Sequence, residues 1–325
     1  MSPVTGSPPT IAVVVATRDR APRLRKLLEA LRRQTLDPAG FEVIVVDDGS
    51  DDNTPRVLEE ELERGVLPLR TLRNPRSAGP GPARDRGWRM SSAPIVAFTD
   101  DDCEPAPGWL FALRATGEGR PGSFVQGRTE PNPDERGKSG PFTRTMEVTG
   151  LDENFPTCNI AYPRSVLERI DGFDVAAFER FGGEDCDLAW RAIGAGATPV
   201  FCEEALVHHA VNDLGPAGKL RAAAQWSIAM KAYAVHPQAR RATFVHRIFW
   251  KRDHYLLARA LIAALLPRRL AALRAWLAYP YARSLWARGQ VVGGGPALAP
   301  YYLLHDVVEA AGVAWAGIRH RTPMI

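Results

Sequence analysis

The sequence predicts an α/β protein in which a mostly parallel sheet, flanked by helices, is followed by a helical C-terminal region. Three observations carry this expectation. Short β-branched runs alternate with amphipathic stretches along the N-terminal part of the chain, several of these runs end in polar clusters, and beyond about Lys219 the pattern turns helical and basic.

The elements follow in order. IAVVVATRDR reads as a strand covered on both faces, because a short β-branched run bounded by polar residues is the pattern of a buried parallel strand. In RLRKLLEALRRQ, Leu24, Leu27, Leu28 and Leu31 recur at helical spacing and form one apolar stripe. FEVIVVDDGS repeats the strand signature. Thr54 and Pro55 then predict a cap and a first-turn proline, with Val57, Leu58 and Leu62 on the inner face of the helix. LPLRTLRN is a third strand, GPARDRGWRMSS a third helix, and APIVAFTDDD the strand that delivers three aspartates. The Pro- and Gly-rich stretch from Gly117 to Pro141 predicts a surface excursion holding a short strand in SFVQGRTE. Further on, FPTCNIAYP predicts a strand, SVLERIDGF a short helix ended by glycine, GGEDCDLAWRAIGAGA a helix with an acidic first turn, and ATPVFCEEALVHH a closing strand.

Composition bounds the function class. The 325 residues are 45% hydrophobic and 24% charged, which excludes a disordered chain and suits an enzyme-sized globular protein. Cys103, Cys158, Cys186 and Cys202 make no C-x-x-C pair, so neither a zinc knuckle nor a disulfide scaffold is expected, and Cys103 and Cys186 read as small buried fillers in a reducing compartment. The N-terminal apolar run, Ile11 to Ala16, is too short for a signal-peptide core. Between Arg240 and Arg288 eleven Arg and Lys face one acid, Asp253, so a chain of net charge +4 combines an acidic body with a basic tail.

Three strands ending in Thr17 to Arg20, Asp47 to Ser50 and Asp100 to Asp102 would converge on one crevice, since ligands of such sheets sit at the carboxyl ends of the strands. Acids after strands also serve as turn formers and helix caps. Several ionised carboxylates in one crevice require a counter-charge, either a divalent metal or an arginine cluster. Asp100 and Asp102 are separated by one residue, so both can turn toward a common ligand, and hard oxygen donors of this kind suit Mg²⁺ or Mn²⁺.

The ordered set VVVATRDR, VVDDGSDDNT, GPGPARDRGW, FTDDDCEP, TCNIAYPRSVLERIDGFD and FGGEDCDLAWR resembles the family 2 glycosyltransferases, inverting enzymes of the GT-A fold that use nucleotide-diphosphate sugars. The resemblance spans Ile11 to His209. It implies that Thr17, Arg18 and Asp47 or Asp48 hold the base and ribose of the donor, that Asn74 and Arg84 line it, and that Arg84 lies near its diphosphate. Asp100 and Asp102 match the family's D-x-D pair, a metal–diphosphate clamp with Asp101 between them on the donor side. The GGEDCDLAWR start implies Asp185 as the general base for the acceptor hydroxyl and Glu184 as its helper; the same two acids would also favour a helix N-terminus without any catalytic role. His208 matches a metal-binding histidine of relatives, with His209 beside it leaving the choice open. The chain departs from the family pattern at Asp85, where asparagine is usual, and in the prolines of GPGPARD.

The expected organisation is a disordered N-terminus over residues 1–10, a GT-A domain over 11–215 and a basic helical region over 216–325. The expected reaction moves a sugar, with a UDP-sugar favoured, to a hydroxyl of a glycan, lipid-linked or small-molecule acceptor, as in cell-envelope polysaccharide assembly. Rivals are a sugar-phosphate nucleotidyltransferase and a non-catalytic nucleotide-sugar or membrane-binding protein of the same fold. In the tail, Trp250, Tyr255, Trp276, Tyr279, Tyr281 and Trp286 interleave with arginines, a pattern suited to an anionic membrane interface, and also to a nucleic-acid backbone or a solvated helical cap. The membrane surface is the expected partner and nucleic acid is not. The expected location is cytoplasmic, with peripheral attachment at the inner face of the cell membrane.

Overall fold

In the computed structural model, which describes residues 8–178, 182–291 and 293–325, every residue of β1 (Ile11–Thr17) except Ala16 is buried. Its side chains alternate between two apolar cores: Ile11, Val13 and Val15 join the leucine stripe of α1 (Ala21–Arg32), while Val14 meets Trp88 and Phe98 on the other face. β2 (Phe41–Asp47), α2 (Thr54–Arg64), β3 (Leu69–Arg73), α3 (Pro80–Arg89) and β4 (Ile95–Thr99) complete the expected alternation. β1 pairs in parallel with both β2 and β4, and β2 with β3.

Two details of α2 differ from expectation. Its first helical residue is Thr54, and the capping acceptor is Asp52, whose Oδ1 takes the Thr54 N–H at 2.8 Å while its Oδ2 takes the Ala21 N–H at 3.1 Å. One carboxylate thus satisfies the starts of two helices. Leu62 is exposed, and Glu61 is buried in the inner row because Arg32 reaches it at 2.6 Å.

The second half departs further. β5 (Cys103–Pro105) and α4 (Trp109–Gly119) follow the aspartates directly, and β6 (Ser123–Pro131) is a nine-residue strand inside the sheet rather than a surface excursion. Its residues Phe124 and Val125 are buried in opposite cores. After β7 (Thr143–Arg144) come β8 (Asn159–Pro163), α5 (Arg164–Arg169), α6 (Glu184–Gly194) and β9 (Thr198–His209). The eight-stranded sheet has the order β3-β2-β1-β4-β8-β6-β9-β5; β8 runs antiparallel to β4 and β6, and β5 antiparallel to β9, so the parallel pairing of the first half gives way to a mixed sheet. All four cysteines are free and buried.

The described residues fall into two compact units, one of residues 8–135 with Thr145–Ala210, the other of Arg136–Arg144 with Val211–Ile325. The second unit thus takes in residues 136–144, which the sequence reading assigns to the first domain. Of the expected disordered start, residues 1–7 lie outside the described residues, and Thr10 bonds through its N–H to Gly40 O at 2.9 Å. In the second unit β7 pairs with β10 (Asn212–Asp213), and α7 (Gly215–Val235), α8 (Pro237–Thr243), α9 (Arg252–Leu265), α10 (Ala271–Val291) and α11 (Ala299–Arg319) make a helical assembly. Two acids of α11 tie it together: Asp306 takes Tyr281 OH at 2.8 Å and Arg288 Nη2 at 2.6 Å, and Glu309 takes Lys251 Nζ at 2.6 Å. Among the described residues no helix is long and apolar enough to cross a membrane.

Helix α3 lies close enough to the sheet that a Cβ at Gly87 would meet Val14 Cγ1 at 2.5 Å and Val46 Cγ2 at 3.3 Å. Gly87→Ala is therefore expected to lower stability by about 1–3 kcal/mol through overpacking, read as a shift of the urea midpoint. Gly108→Ala, with nothing within 4 Å, is the control. Equal midpoints for the two variants would refute this packing argument.

Candidate active site

The three aspartates leave β4 in a tight turn, with Cys103 N–H on Asp100 O at 3.1 Å, and they point to different partners. Asp101 is buried and accepts Thr17 Oγ1 at 2.8 Å from the end of β1. Burial pushes its carboxyl up to about 7, against the opposing charge of Arg20. Arg20 bridges Asp101 Oδ1 at 3.2 Å and Asp102 Oδ2 at 2.8 Å. Asp100 is partly exposed, and its Oδ1 accepts Arg84 Nη2 at 2.6 Å. Two arginines thus supply the counter-charge that three adjacent carboxylates demand.

Arg84 joins the two acidic clusters. It is buried in α3, where Nη1 also lies 3.4 Å from Glu184 Oε1 at the start of α6. Burial works against its charge, yet Asp100, Asp185 and Glu184 hold its pKa above the usual value. Glu184, buried and also accepting Gly182 N–H at 2.8 Å, is pushed up by burial and by the neighbouring Asp185, against Arg84. Gly81 makes room for it: a Cβ there would meet Glu184 Cγ at 3.3 Å. Asp185 is only half-buried. Its Oδ2 accepts both the N–H and the Oγ1 of Thr157 at 3.2 Å, and among the described residues its Oδ1 has no hydrogen-bond partner. The motif residue Phe181, just before this helix, lies outside the described residues.

Other expected donor residues take different places. Arg18 is half-exposed and pairs with Asp19 at 3.3 Å. Asp47, at the end of β2, accepts Ser50 N–H at 2.9 Å and faces Arg73 at 3.2 Å. Asp48 and Asn74 both bond within the loop before α3. Asp48 is consumed by the loop before α3, accepting Asn74 Nδ2 at 2.6 Å, Ser77 Oγ at 2.7 Å, Ala78 N–H at 3.0 Å and Gly79 N–H at 2.8 Å, while Asn74 Oδ1 takes Arg86. Both residues thus shape the loop, with four donors gathered on the Asp48 carboxylate. Asp85, the departure from the usual asparagine, faces away from the crevice: it accepts Trp88 Nε1 at 2.8 Å and Phe173 N–H at 3.1 Å, holding the turn after α5. Pro80 stands in the first turn of α3, where a missing N–H costs nothing.

The two histidines at the end of β9 take different places. His209 Nε2 lies 3.6 Å from Asp102 Oδ1, and the ligand atoms of Asp102, Cys103 and His209 lie within 4.8 Å of one another. His208, the expected ligand, falls on the alternate side of β9, with Nδ1 buried and without a hydrogen-bond partner among the described residues. Burial holds the Cys103 thiol well above its ordinary pKa, which leaves it a poor ligand. Carboxylates with one imidazole fit a hard divalent cation such as Mn²⁺ or Mg²⁺.

The model of glycosyl transferase family 2 matches residues 12–172, from β1 to the turn after α5. The chain belongs to this family. Among curated relatives it is 32% identical to a pre-mycofactocin glycosyltransferase of Mycobacterium tuberculosis over 211 residues, 61% of this chain and 42% of that protein. It is 27% identical to the glycosyltransferase AglE of Haloferax volcanii over 215 residues, 65% of this chain and 70% of that protein. The chain therefore spans less than half of the first of these. A solved mannosyltransferase of Pyrobaculum calidifontis, in complex with GDP-Man and Mn²⁺, superposes with a TM-score of 0.61 at 21% identity, covering 95% of this chain and 90% of that one. At that identity the likeness establishes the fold, and it is the GT-A fold of family 2 that places these carboxylates.

Two residues of this crevice take places that the motifs do not assign: Arg20, a cation within TRDR three residues past the strand end, and Thr157 in FPTCN, which carries no signal of its own. His209, left open beside His208, depends on the facing of β9.

The raised Glu184 has a consequence for stability. Below the ordinary carboxyl pKa, folded and unfolded states are both protonated and the group contributes no difference; as pH rises, the unfolded chain ionises first and the native state is penalised. In metal-free protein, the thermal stability of Glu184→Gln relative to the parent is expected to rise with pH between about pH 5 and about pH 8. A stability difference independent of pH in that window would count against a raised Glu184.

Proposed function

We propose that the chain transfers a glycosyl group, with inversion, from a nucleotide-diphosphate sugar to a hydroxyl of a glycan, lipid-linked or small-molecule acceptor. The observation that carries this reading is the pairing of two acidic clusters through one buried arginine: Asp100 to Asp102 after β4, and Glu184 with Asp185 at the start of α6, joined by Arg84.

A single displacement needs a base on the acceptor side and stabilisation of the departing diphosphate on the other. Asp185 is the base, since Thr157 fixes one of its oxygens and leaves the other to accept the hydroxyl proton. Glu184 positions the acceptor and keeps Arg84 in place. On the donor side Thr17, Arg18 and Asp47 stand at the ends of β1 and β2, where base and ribose would lie. Asp101 anchors this side through Thr17, and Arg84 and Arg20 are poised for the diphosphate. Asp100, Asp102 and His209 would hold a divalent cation, in place of the set with His208 expected from sequence. When bound, Mn²⁺ or Mg²⁺ would offset the charge that builds on the leaving nucleotide diphosphate. A UDP-sugar is the favoured donor, as one relative of the fold, Staphylococcus aureus TarS, was solved with UDP-GlcNAc. The partner surface proposed for the basic helical region is an anionic membrane, and the proposed location is the cytoplasmic face of that membrane.

Calorimetric titration with UDP, GDP and dTDP, each with and without Mn²⁺, tests the donor side. Metal-dependent binding of one nucleotide is expected, and Asp102→Ala should weaken the metal-supported part at least tenfold. No binding of any of the three by folded protein would overturn the reading.

Asp185→Asn should keep donor binding while transfer falls by about 10²–10⁴-fold, the usual contribution of a general base. Equal transfer rates in the variant and the parent would remove Asp185 from that role.

A further inference from the structure

Exposed apolar side chains and unpaired arginines meet on one hairpin of the second unit. α9 and α10 are joined through Leu266, Pro267 and the short turn Arg268–Leu270, and they pack together through Leu256, Leu257 and Tyr281. Away from that seam, Leu261, Ile262 and Leu265 at the end of α9 are 57%, 53% and 86% exposed, and Trp276 and Tyr279 on α10 are each 65% exposed. A soluble surface rarely clusters large apolar groups in this way without a partner.

The charges of the same hairpin are equally unspent. Among the described residues Arg252, Arg268, Arg269, Arg274 and Arg283 have no ion pair or hydrogen-bond partner. The one acid nearby, Asp253, is taken by Ser284 at 2.6 Å and faces Arg288 at 3.6 Å. The acids of α11, Asp306 and Glu309, are used up within the core by Arg288 and Lys251. Arg259 stacks on Trp276 at 4.7 Å and so holds that ring out at the surface.

We propose that the α9–α10 hairpin docks the protein on an anionic lipid bilayer. Leu261, Ile262 and Leu265 enter the boundary of the acyl region, Trp276 and Tyr279 lie at the headgroup level, and the five free arginines meet lipid phosphates. The chemistry selects this occupant. A second copy would bring two uncompensated arginine clusters face to face. A nucleic-acid backbone would use the arginines yet leave three exposed aliphatic side chains in water, whereas a bilayer takes both. The inference deepens the membrane partner of the proposed function and supplies the element that makes the contact.

The test uses the full chain and vesicles of phosphatidylcholine, with and without phosphatidylglycerol, at low salt. Co-sedimentation is expected only with the anionic vesicles. The triple variant Arg268→Gln, Arg269→Gln, Arg274→Gln should lose about a hundredfold in affinity, roughly fivefold for each arginine. Leu265→Glu, at a position 86% exposed and therefore safe for folding, should weaken binding to the same vesicles without any loss of thermal stability. Equal partition to both vesicle types, no partition to either, a concentration-dependent dimer that Leu265→Glu dissolves, or RNA binding that the arginine variant removes would each overturn the proposal. Nucleotide titration without vesicles reads the transferase site separately, so failure of one is distinguishable from failure of the other.

Discussion

Arg84 is the constraint on which the crevice depends. It is buried, its Nε atom has no partner among the described residues, and it holds Asp100 at 2.6 Å and Glu184 at 3.4 Å from elements that share no sequence neighbourhood. Removing one partner of a buried ion pair commonly costs about 3–5 kcal/mol, because the charge left behind stays desolvated. Arg84 therefore fixes the distance between the carboxylates after β4 and those at the start of α6, and with it the space in which a donor and an acceptor could meet. The close packing of Gly87 on Val14 and Val46 sets the depth at which α3 carries that arginine.

Around this pair the site is built from residues whose polar atoms are already committed. Asp48 closes the loop into α3, Asp52 caps two helices, and Asp85 ties Trp88 to the turn at Phe173. These aspartates hold local structure and share motifs with residues left partly open. The distinction is one of satisfied lone pairs: a carboxylate that accepts four backbone and side-chain donors has none left for a ligand, whereas Asp185 Oδ1 and the outer side of Asp100 retain theirs. The same sorting by satisfied and unsatisfied charge separates the arginines of the helical unit. Arg288 is spent on Asp306, while those of the α9–α10 hairpin face solvent.

Much was legible in the sequence because local patterns determine it. The period-3.6 leucines of α1, the β-branched runs of β1, β2 and β4, and the motifs around Asp100, Asp102 and Asp185 pointed to an α/β chain of family 2 and to carboxylates gathered in one crevice. The sequence alone also showed that the basic charge gathers in the C-terminal helices. What only the tertiary structure decided depends on contacts between distant residues. β6 reads as a short strand in a surface excursion because Pro and Gly surround it, yet pairing with β8 and β9 buries it in the sheet. Facing along β9 brings His209 beside Asp102, since neighbours in a strand point to opposite sides. The counter-charge for three adjacent aspartates came from Arg20 and Arg84, 82 and 16 residues from their partners, and no local pattern records a pairing of that kind.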